Sequence, residues 1–101
     1  MLYLGGISGR GRLICDGEEL GEGAYDFDGF FERSSGVVGS GEIRLKSSVL
    51  ESVFGRPGVQ LLTRDGHLLN LKFSDKVLIP ASTSAHVDVT GDLPKQSQWR
   101  H

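Results

Sequence analysis

The sequence predicts a small, mainly β domain, a curled antiparallel meander or partly open β-barrel of six to seven strands with one short α-helix near residues 48–54. Of the three Asp-Gly dipeptides in the chain, those at positions 16–17 and 65–66 lie between apolar runs of strand length, and Asp-Gly in that setting is the strongest short-range signal of a hairpin. Glycine contributes 15 of 101 residues, about twice its average share, which indicates bulges and bends within strands. An antiparallel sheet of this size tends to curl or close.

Length, charge and cysteine content limit the domain count and the setting. A chain of 101 residues is one domain, and we expect residues 1–91 to form it and residues 92–101, polar and containing Pro94, to be a flexible tail. The formal net charge of −2 gives no general attraction to nucleic acid or anionic membranes. The single cysteine, Cys15, favours a reducing compartment. The N-terminal segment lacks a signal-peptide pattern, so a cytoplasmic protein is expected.

The first third of the chain contains the first predicted hairpin. We expect a short edge strand at residues 2–7, a glycine-rich bend at residues 9–11, and then a two-residue turn that places Cys15 opposite Glu18 and Leu13 opposite Leu20. A second strand follows at residues 24–31, with Tyr25, Phe27 and Phe31 on the core face and Asp26, Asp28 and Phe30 on the other.

The middle and end of the chain carry a helix and further strands. A strand is expected at residues 37–46. Ser48 and Glu51 have the spacing of a capping box, and Gly55 suits the position just after a helix, so a helix of about two turns is predicted there. A last strand is expected at residues 85–90, with Val87 and Val89 facing inward.

The hairpin of residues 59–73 is the clearest element. A two-residue turn at Asp65-Gly66 would pair Leu62 with Leu69. The resulting core face holds Leu62, Leu69, Leu71 and Phe73. The opposite face is half apolar, and it supplies a candidate interaction surface consisting of Val59, Leu61 and Leu68.

Candidate ligand-binding residues are Arg10, Arg12, His67 and His86. The two arginines lie in a glycine-rich segment whose backbone and guanidinium groups suit a phosphate, although an exposed bend explains them as well. If the sheet closes, His67 and His86 could approach each other and a His/Asp metal site would be conceivable, although exposed polar residues at strand ends are the simpler explanation of these histidines. No catalytic residues, metal ligands or cofactor are predicted.

These features favour a non-enzymatic binding or protein-interaction module that self-associates or adds a strand from a protein partner. The alternative is a barrel that binds a small, phosphate-bearing molecule, or a small hydrolytic enzyme, with its site at the barrel mouth. Nucleic-acid binding is disfavoured by the charge balance, and a membrane span by the absence of a long apolar run.

Overall fold

The computed structural model describes residues 1–99 and shows a closed six-stranded antiparallel barrel. Its strands are β1 (Leu2–Cys15), β2 (Glu18–Glu32), β3 (Gly36–Arg44), β4 (Val59–Thr63), β5 (Leu68–Phe73) and β6 (Ser84–Gly91). Around the barrel the order is β1-β2-β3-β6-β5-β4, and β4 returns to pair with β1. The helix α1 (Ser47–Val53) connects β3 with β4, and a 3-10 turn (Gln96–Gln98) follows β6. The predicted fold class is confirmed, and the barrel is closed.

The first hairpin has the predicted turn but longer strands. Asp16 and Gly17 both have positive φ, 54° and 80°, as a two-residue hairpin turn requires. Cys15 lies opposite Glu18 as predicted, whereas a bulge shifts Leu13 from Leu20 to Gly21. The bend expected at residues 9–11 is absorbed into the continuous strand β1.

The predicted register of the β4–β5 hairpin is wrong by one residue. Leu62 pairs with Leu68, not Leu69, because the loop contains three residues, 64–66, instead of two. A two-residue turn would have turned Gln60 and Arg64 toward the interior. The observed register instead gives β4 and β5 one shared apolar face. That inner face consists of Val59, Leu61, Leu69 and Leu71, all buried.

The helix forms where it was predicted, but without the predicted cap. It begins at Ser47 after Lys46, and no side chain caps its N-terminus, so the capping box proposed for Ser48 and Glu51 is wrong. Gly55 has a φ of 75° just beyond the last helical turn, as predicted for that position. Leu50 and Val53 are fully buried, so α1 covers one end of the barrel with an apolar face.

The core fills the barrel between its two ends. On β6, Val87 and Val89 are fully buried, which confirms their predicted inward orientation. Phe27 is fully buried on β2, and Asp26 is exposed on the outer face, as predicted. Cys15 belongs to the core and is 2% exposed.

The segment after β6 covers the end of the barrel opposite α1. Leu93 is 9% exposed and Trp99 is 6% exposed. The Trp99 indole N–H donates a hydrogen bond to the Pro94 carbonyl at 3.0 Å, and the ring lies against Gly29 on the inner face of β2. The described part of the predicted tail therefore contributes to the core. Its flexibility stays a prediction, and residues 100 and 101 lie outside the described part of the chain.

Candidate functional site

A cavity of about 380 Å³ opens at the barrel end that the C-terminal segment, residues 92–99, covers. It lies where β1 separates from β4. Three parts of the chain line it: β1 with one residue of β2, the β4–β5 hairpin, and the C-terminal segment. The lining residues are Gly6, Ile7, Ser8, Tyr25, Thr63, Asp65, His67, Leu69, Pro94 and Gln98. This volume is within the range of small-ligand pockets.

The Thr63 hydroxyl organises the β4–β5 loop at this cavity. It accepts a hydrogen bond from the His67 backbone N–H at 3.0 Å and donates one to Asp65 Oδ1 at 2.6 Å. Gly66 closes the loop with an N–H bond to the Thr63 carbonyl at 3.0 Å and a φ of 93°. These hydrogen bonds close a loop of three residues, 64–66, and a three-residue loop gives the observed pairing of β4 with β5.

The hydrogen bond from Thr63 also acts on the charge of Asp65. Together with smaller contributions from a backbone N–H and from His67, it holds the pKa of Asp65 below its ordinary value, because each favours the ionised carboxylate. Asp65 therefore contributes a negative charge to the cavity down to acidic pH.

His67 lies between two carboxylates. Its Nδ1 is 3.2 Å from Asp92 Oδ2, and its Nε2 is 3.6 Å from Asp65 Oδ2. Asp92 immediately follows β6, so the ring connects the β4–β5 loop with the start of the C-terminal segment. The imidazole is 32% exposed and lies at the rim of the cavity.

Tyr25 supplies a hydroxyl from the opposite wall. Its ring stacks on Phe27 with centroids 5.1 Å apart, and it lies over Gly9, where a Cβ would be 3.1 Å from the tyrosine oxygen. Burial, and then the charge of Asp65, raise the pKa of Tyr25. The phenol therefore keeps its proton at neutral pH and can donate it in a hydrogen bond.

The charge of the cavity has one sign. Asp65 lies in its wall and Asp92 lies behind His67, while none of the residues lining it within the described chain is a lysine or arginine. The Asp65 carboxylate and the phenol oxygen of Tyr25 can accept hydrogen bonds from a cation, and the carboxylate balances its charge.

The two predicted arginines lie elsewhere, on the outer face of β1. Arg10 Nε is 3.0 Å from Glu22 Oε1, and Arg12 Nε is 3.4 Å from Glu19 Oε1. The hydrogen bond from Arg10 lowers the pKa of Glu22. Each arginine thus already has a carboxylate partner, and the structure does not bring either of them into the cavity with His67.

The second predicted histidine is also separate from His67. His86 lies on the outer face of β6, with its Nδ1 2.6 Å from Ser74 Oγ and its backbone N–H donating to Asp75 at 3.2 Å. Ser74 follows the end of β5, whereas His67 precedes its start. The length of β5, about 17 Å at 3.3 Å per residue, therefore separates the two histidines, and they do not act together.

The candidate interaction surface needs a correction. Val59 is 1% exposed and Leu61 is 2% exposed, because the one-residue shift in register turns both into the core. Only Leu68, 39% exposed, remains available on the outside of the barrel. The hairpin face that was expected to contact a partner is thus interior.

Reasoning from the sequence found His67 and its neighbour Asp65 but missed three residues of the site. Tyr25 was assigned to the core because of its alternation with Phe27. Thr63 and Asp92 carried no sign of a role on their own. The signal that was present is the spacing of Thr63, Asp65 and His67 in one short loop, since threonine and aspartate hydroxyl and carboxyl groups bond to nearby turn backbone.

Comparison with protein-family models, with curated proteins and with solved structures finds no match to this chain. Within residues 1–99, no group of three or more His, Cys, Asp or Glu side chains is arranged to hold a metal ion. The helices in the same range are all too short or too polar to cross a membrane. The function must therefore be argued from the geometry of the cavity.

Proposed function

We propose that this protein is a non-enzymatic binding module. Its cavity, at the barrel end that the C-terminal segment covers, holds a positively charged group. The observation that carries the proposal is the one-signed lining: the ionised Asp65 and the protonated Tyr25 hydroxyl face one space of about 380 Å³. A primary ammonium or a guanidinium donates several hydrogen bonds and accepts none. It therefore matches the Asp65 carboxylate and the phenol oxygen of Tyr25, which both accept hydrogen bonds.

A phosphate-bearing ligand fits this cavity less well. Phosphate needs cationic or N–H donors, and the two arginines predicted for that role, Arg10 and Arg12, pair with Glu22 and Glu19 on the outer face. An anion in the cavity would also be repelled by Asp65. The alternative of a phosphate-binding barrel thus loses the two residues on which it depended.

A hydrolytic enzyme is also less well supported. A general base must lie within hydrogen-bond reach of the group it deprotonates. Ser8 is the hydroxyl of the cavity wall nearest to that role, and within the described residues no hydrogen bond joins it to His67, whose two nitrogens both face carboxylates. This arrangement favours binding without chemistry.

The proposal can be tested with a lysine probe and its uncharged twin. We expect N-acetyl-lysine N-methylamide to shift the amide NMR signals of Asp65, His67 and Tyr25, and N-acetyl-norleucine N-methylamide and inorganic phosphate to leave them unchanged. Asp65→Asn removes the charge of this carboxylate. It should lower the affinity for the lysine probe by about 10- to 100-fold, since a hydrogen bond to a charged group is worth about 1.5–3 kcal/mol.

The matched control is Asp26→Asn, which removes a carboxylate from the outer face of β2 and should leave the lysine probe's affinity unchanged. Equal binding of the lysine and norleucine probes would refute the charge-based proposal. Binding of phosphate at the same amides would favour the anion-binding alternative.

Self-association, or contact with a protein partner, is a second candidate activity. The hairpin face does not support this activity, because it is interior. The β5–β6 connection does, since Val77 is 78% exposed and Ile79 is 74% exposed there. Two large aliphatic side chains close together on a loop are typical of contact surfaces. Light scattering over a wide concentration range tests it, and the double variant Val77→Ser, Ile79→Ser should abolish any dimer. The cytoplasmic setting also stays a proposal, based on the lone cysteine.

A further inference from the structure

Within residues 1–99, the N-terminal half of β1 has an edge at Gly6–Ser8 that no strand pairs with. β4 pairs with β1 only from Gly11 to Cys15, and one more hydrogen bond, from the Arg64 N–H to the Arg10 carbonyl at 3.3 Å, extends this ladder. Toward its N-terminus, β1 continues to Leu2 and pairs with β2. Among residues 1–99, no strand pairs with the other edge of that half.

The direction of the free backbone groups follows from the Arg10 bond. In an antiparallel strand, the N–H and C=O of one residue point to the same side, and alternate residues share that side. Pairing between β1 and β2 is regular from Gly5 to Leu13. Ser8 and Gly6 therefore direct their N–H and C=O groups to the same side as Arg10, which is the free edge.

This free edge forms one wall of the binding cavity. Gly6 and Ser8 both line it, opposite Asp65 of the β4–β5 loop. Gly6 has no side chain, so the backbone of a partner can come close to it. The carboxylate and the row of backbone donors and acceptors thus face the same space.

A second cavity, of about 690 Å³, lies along the preceding stretch of β1. Its lining residues are Leu2, Tyr3, Leu4, Lys95, Gln96 and Ser97. Both cavities lie between β1 and the C-terminal segment. The pairing of β1 with β2 shifts register between Tyr3 and Gly5, so the regular edge that an added strand needs is the one at Gly6–Ser8.

We infer that the ligand of this module is an extended peptide that pairs as an added strand with the Gly6–Ser8 edge of β1 and places a lysine or arginine side chain beside Asp65. The inference rests on the proposed function, because it assigns the positive charge to a peptide side chain. Backbone pairing supplies affinity in strand addition, and a side-chain pocket supplies specificity.

The test compares four probes on the intact protein by NMR titration. They are N-acetyl-lysine N-methylamide, a seven-residue peptide of alternating threonine and valine with a central lysine, the same peptide with norleucine for lysine, and the lysine peptide with N-methylated amides beside the lysine. We expect the lysine peptide to bind at least tenfold more tightly than the single-residue probe. N-methylation should remove that gain, because it removes the donors of the added strand, and norleucine should weaken binding by a similar factor.

Ser8→Pro tests the edge from the protein side. Proline removes the N–H that faces the free edge and leaves the pairing with β2 intact, since proline is tolerated where the N–H faces away from the sheet. In this variant the lysine peptide and its N-methylated form should bind equally, because the donor and acceptor that distinguish them no longer face a free N–H at position 8. The peptide series keeps the proposal falsifiable if this variant does not fold.

Four results would overturn the inference. If the lysine peptide binds no better than the single-residue probe, the cavity binds a cation and the proposed function stands without strand addition. If the norleucine peptide binds equally well, no basic side chain enters the cavity. If β1 signals shift with protein concentration alone, the edge pairs with a second copy of this chain. Failure of both lysine probes would refute the proposed function as well.

Discussion

The two ends of the barrel are closed in different ways. At one end, α1 lies between β3 and β4 and buries Leu50 and Val53 completely. At the other end, Leu93 and Trp99 cover the interior from a segment that follows β6 and, within residues 1–99, does not return to the sheet. The helix end is filled by apolar side chains, whereas the opposite end also holds the polar groups around His67.

The two closures are expected to differ in stability. A closure tied to the sheet on both sides opens only when the strands themselves separate, so it shares the stability of the whole domain. The other closure is made by side chains of a segment that, within residues 92–99, contains no strand, and ligand-binding segments are drawn from such parts with few strand hydrogen bonds. We therefore expect the helix end to maintain the fold and the other end to admit a ligand.

The largest effect is expected at the helix end. Leu50→Ala should lower the free energy of unfolding by about 2–5 kcal/mol, because it leaves a cavity in the fully buried contact between α1 and the barrel. Urea denaturation followed by circular dichroism measures it. The exposed neighbour Glu51→Ala is the control and should stay within about 0.5 kcal/mol of the original protein. Equal effects of the two changes would mean that α1 does not close the core.

A smaller and more local effect is expected at the other end. A methyl group at Gly29 would lie 2.5–2.6 Å from three atoms of the Trp99 indole, so Gly29→Ala should displace the ring at a cost of about 1–3 kcal/mol. Because Trp99 is the only tryptophan, a red shift of its fluorescence reports the displacement directly. Gly6→Ala is the control, since its methyl group would meet nothing closer than 3.5 Å. An unchanged emission spectrum in Gly29→Ala would contradict the packing described for Trp99.

The smallest effect concerns the loop that supports the site. Thr63→Val keeps the shape of a buried side chain but removes both hydrogen bonds of the hydroxyl, and it should cost about 1 kcal/mol. The control Thr90→Val alters an exposed threonine on β6 and should change stability little.

The same variant should change how stability depends on pH. The pKa of Asp65 is lowered in the folded protein, so its contribution is present above its ordinary pKa, near 4, and is lost as the pH falls through the folded value. Thr63→Val should raise that pKa toward the ordinary value and reduce this loss, which carboxyl ¹³C NMR titration can follow. A pKa of Asp65 that does not move would show that Thr63 is not its main partner.

The two Asp-Gly turns show how far the sequence could be interpreted. At Asp16-Gly17 the dipeptide alone predicts the turn and the pairing of Cys15 with Glu18. At Asp65-Gly66 it predicts a hairpin but the wrong register, because the hydroxyl of Thr63 recruits a third residue into the loop. Local patterns thus identified the strands, the helix and the inward residues of β6, whereas a contact between side chains decided the register.

The cavity could not be predicted from local patterns for a related reason. Tyr25, Asp65 and Asp92 come from three distant parts of the chain, and only closure of the barrel brings them together. Likewise, the polar composition of residues 92–101 gave no sign that Leu93 and Trp99 enter the core, since one leucine and one tryptophan form no periodic pattern.

Closure of the barrel between β1 and β4 also has a kinetic consequence. The seam pairs Gly11 with Thr63 and Cys15 with Val59, partners separated by about half the chain. Each hairpin can form by itself within about 1–10 μs, but β1 and β4 can pair only after the two hairpins have met. The conformational entropy of the intervening chain is lost before that pairing stabilises the structure. Because β3 and β6 are paired at a similar sequence separation, folding of this barrel should be limited by these two long-range pairings and fall in the range of milliseconds to seconds that is typical of domains dominated by non-local strand pairing.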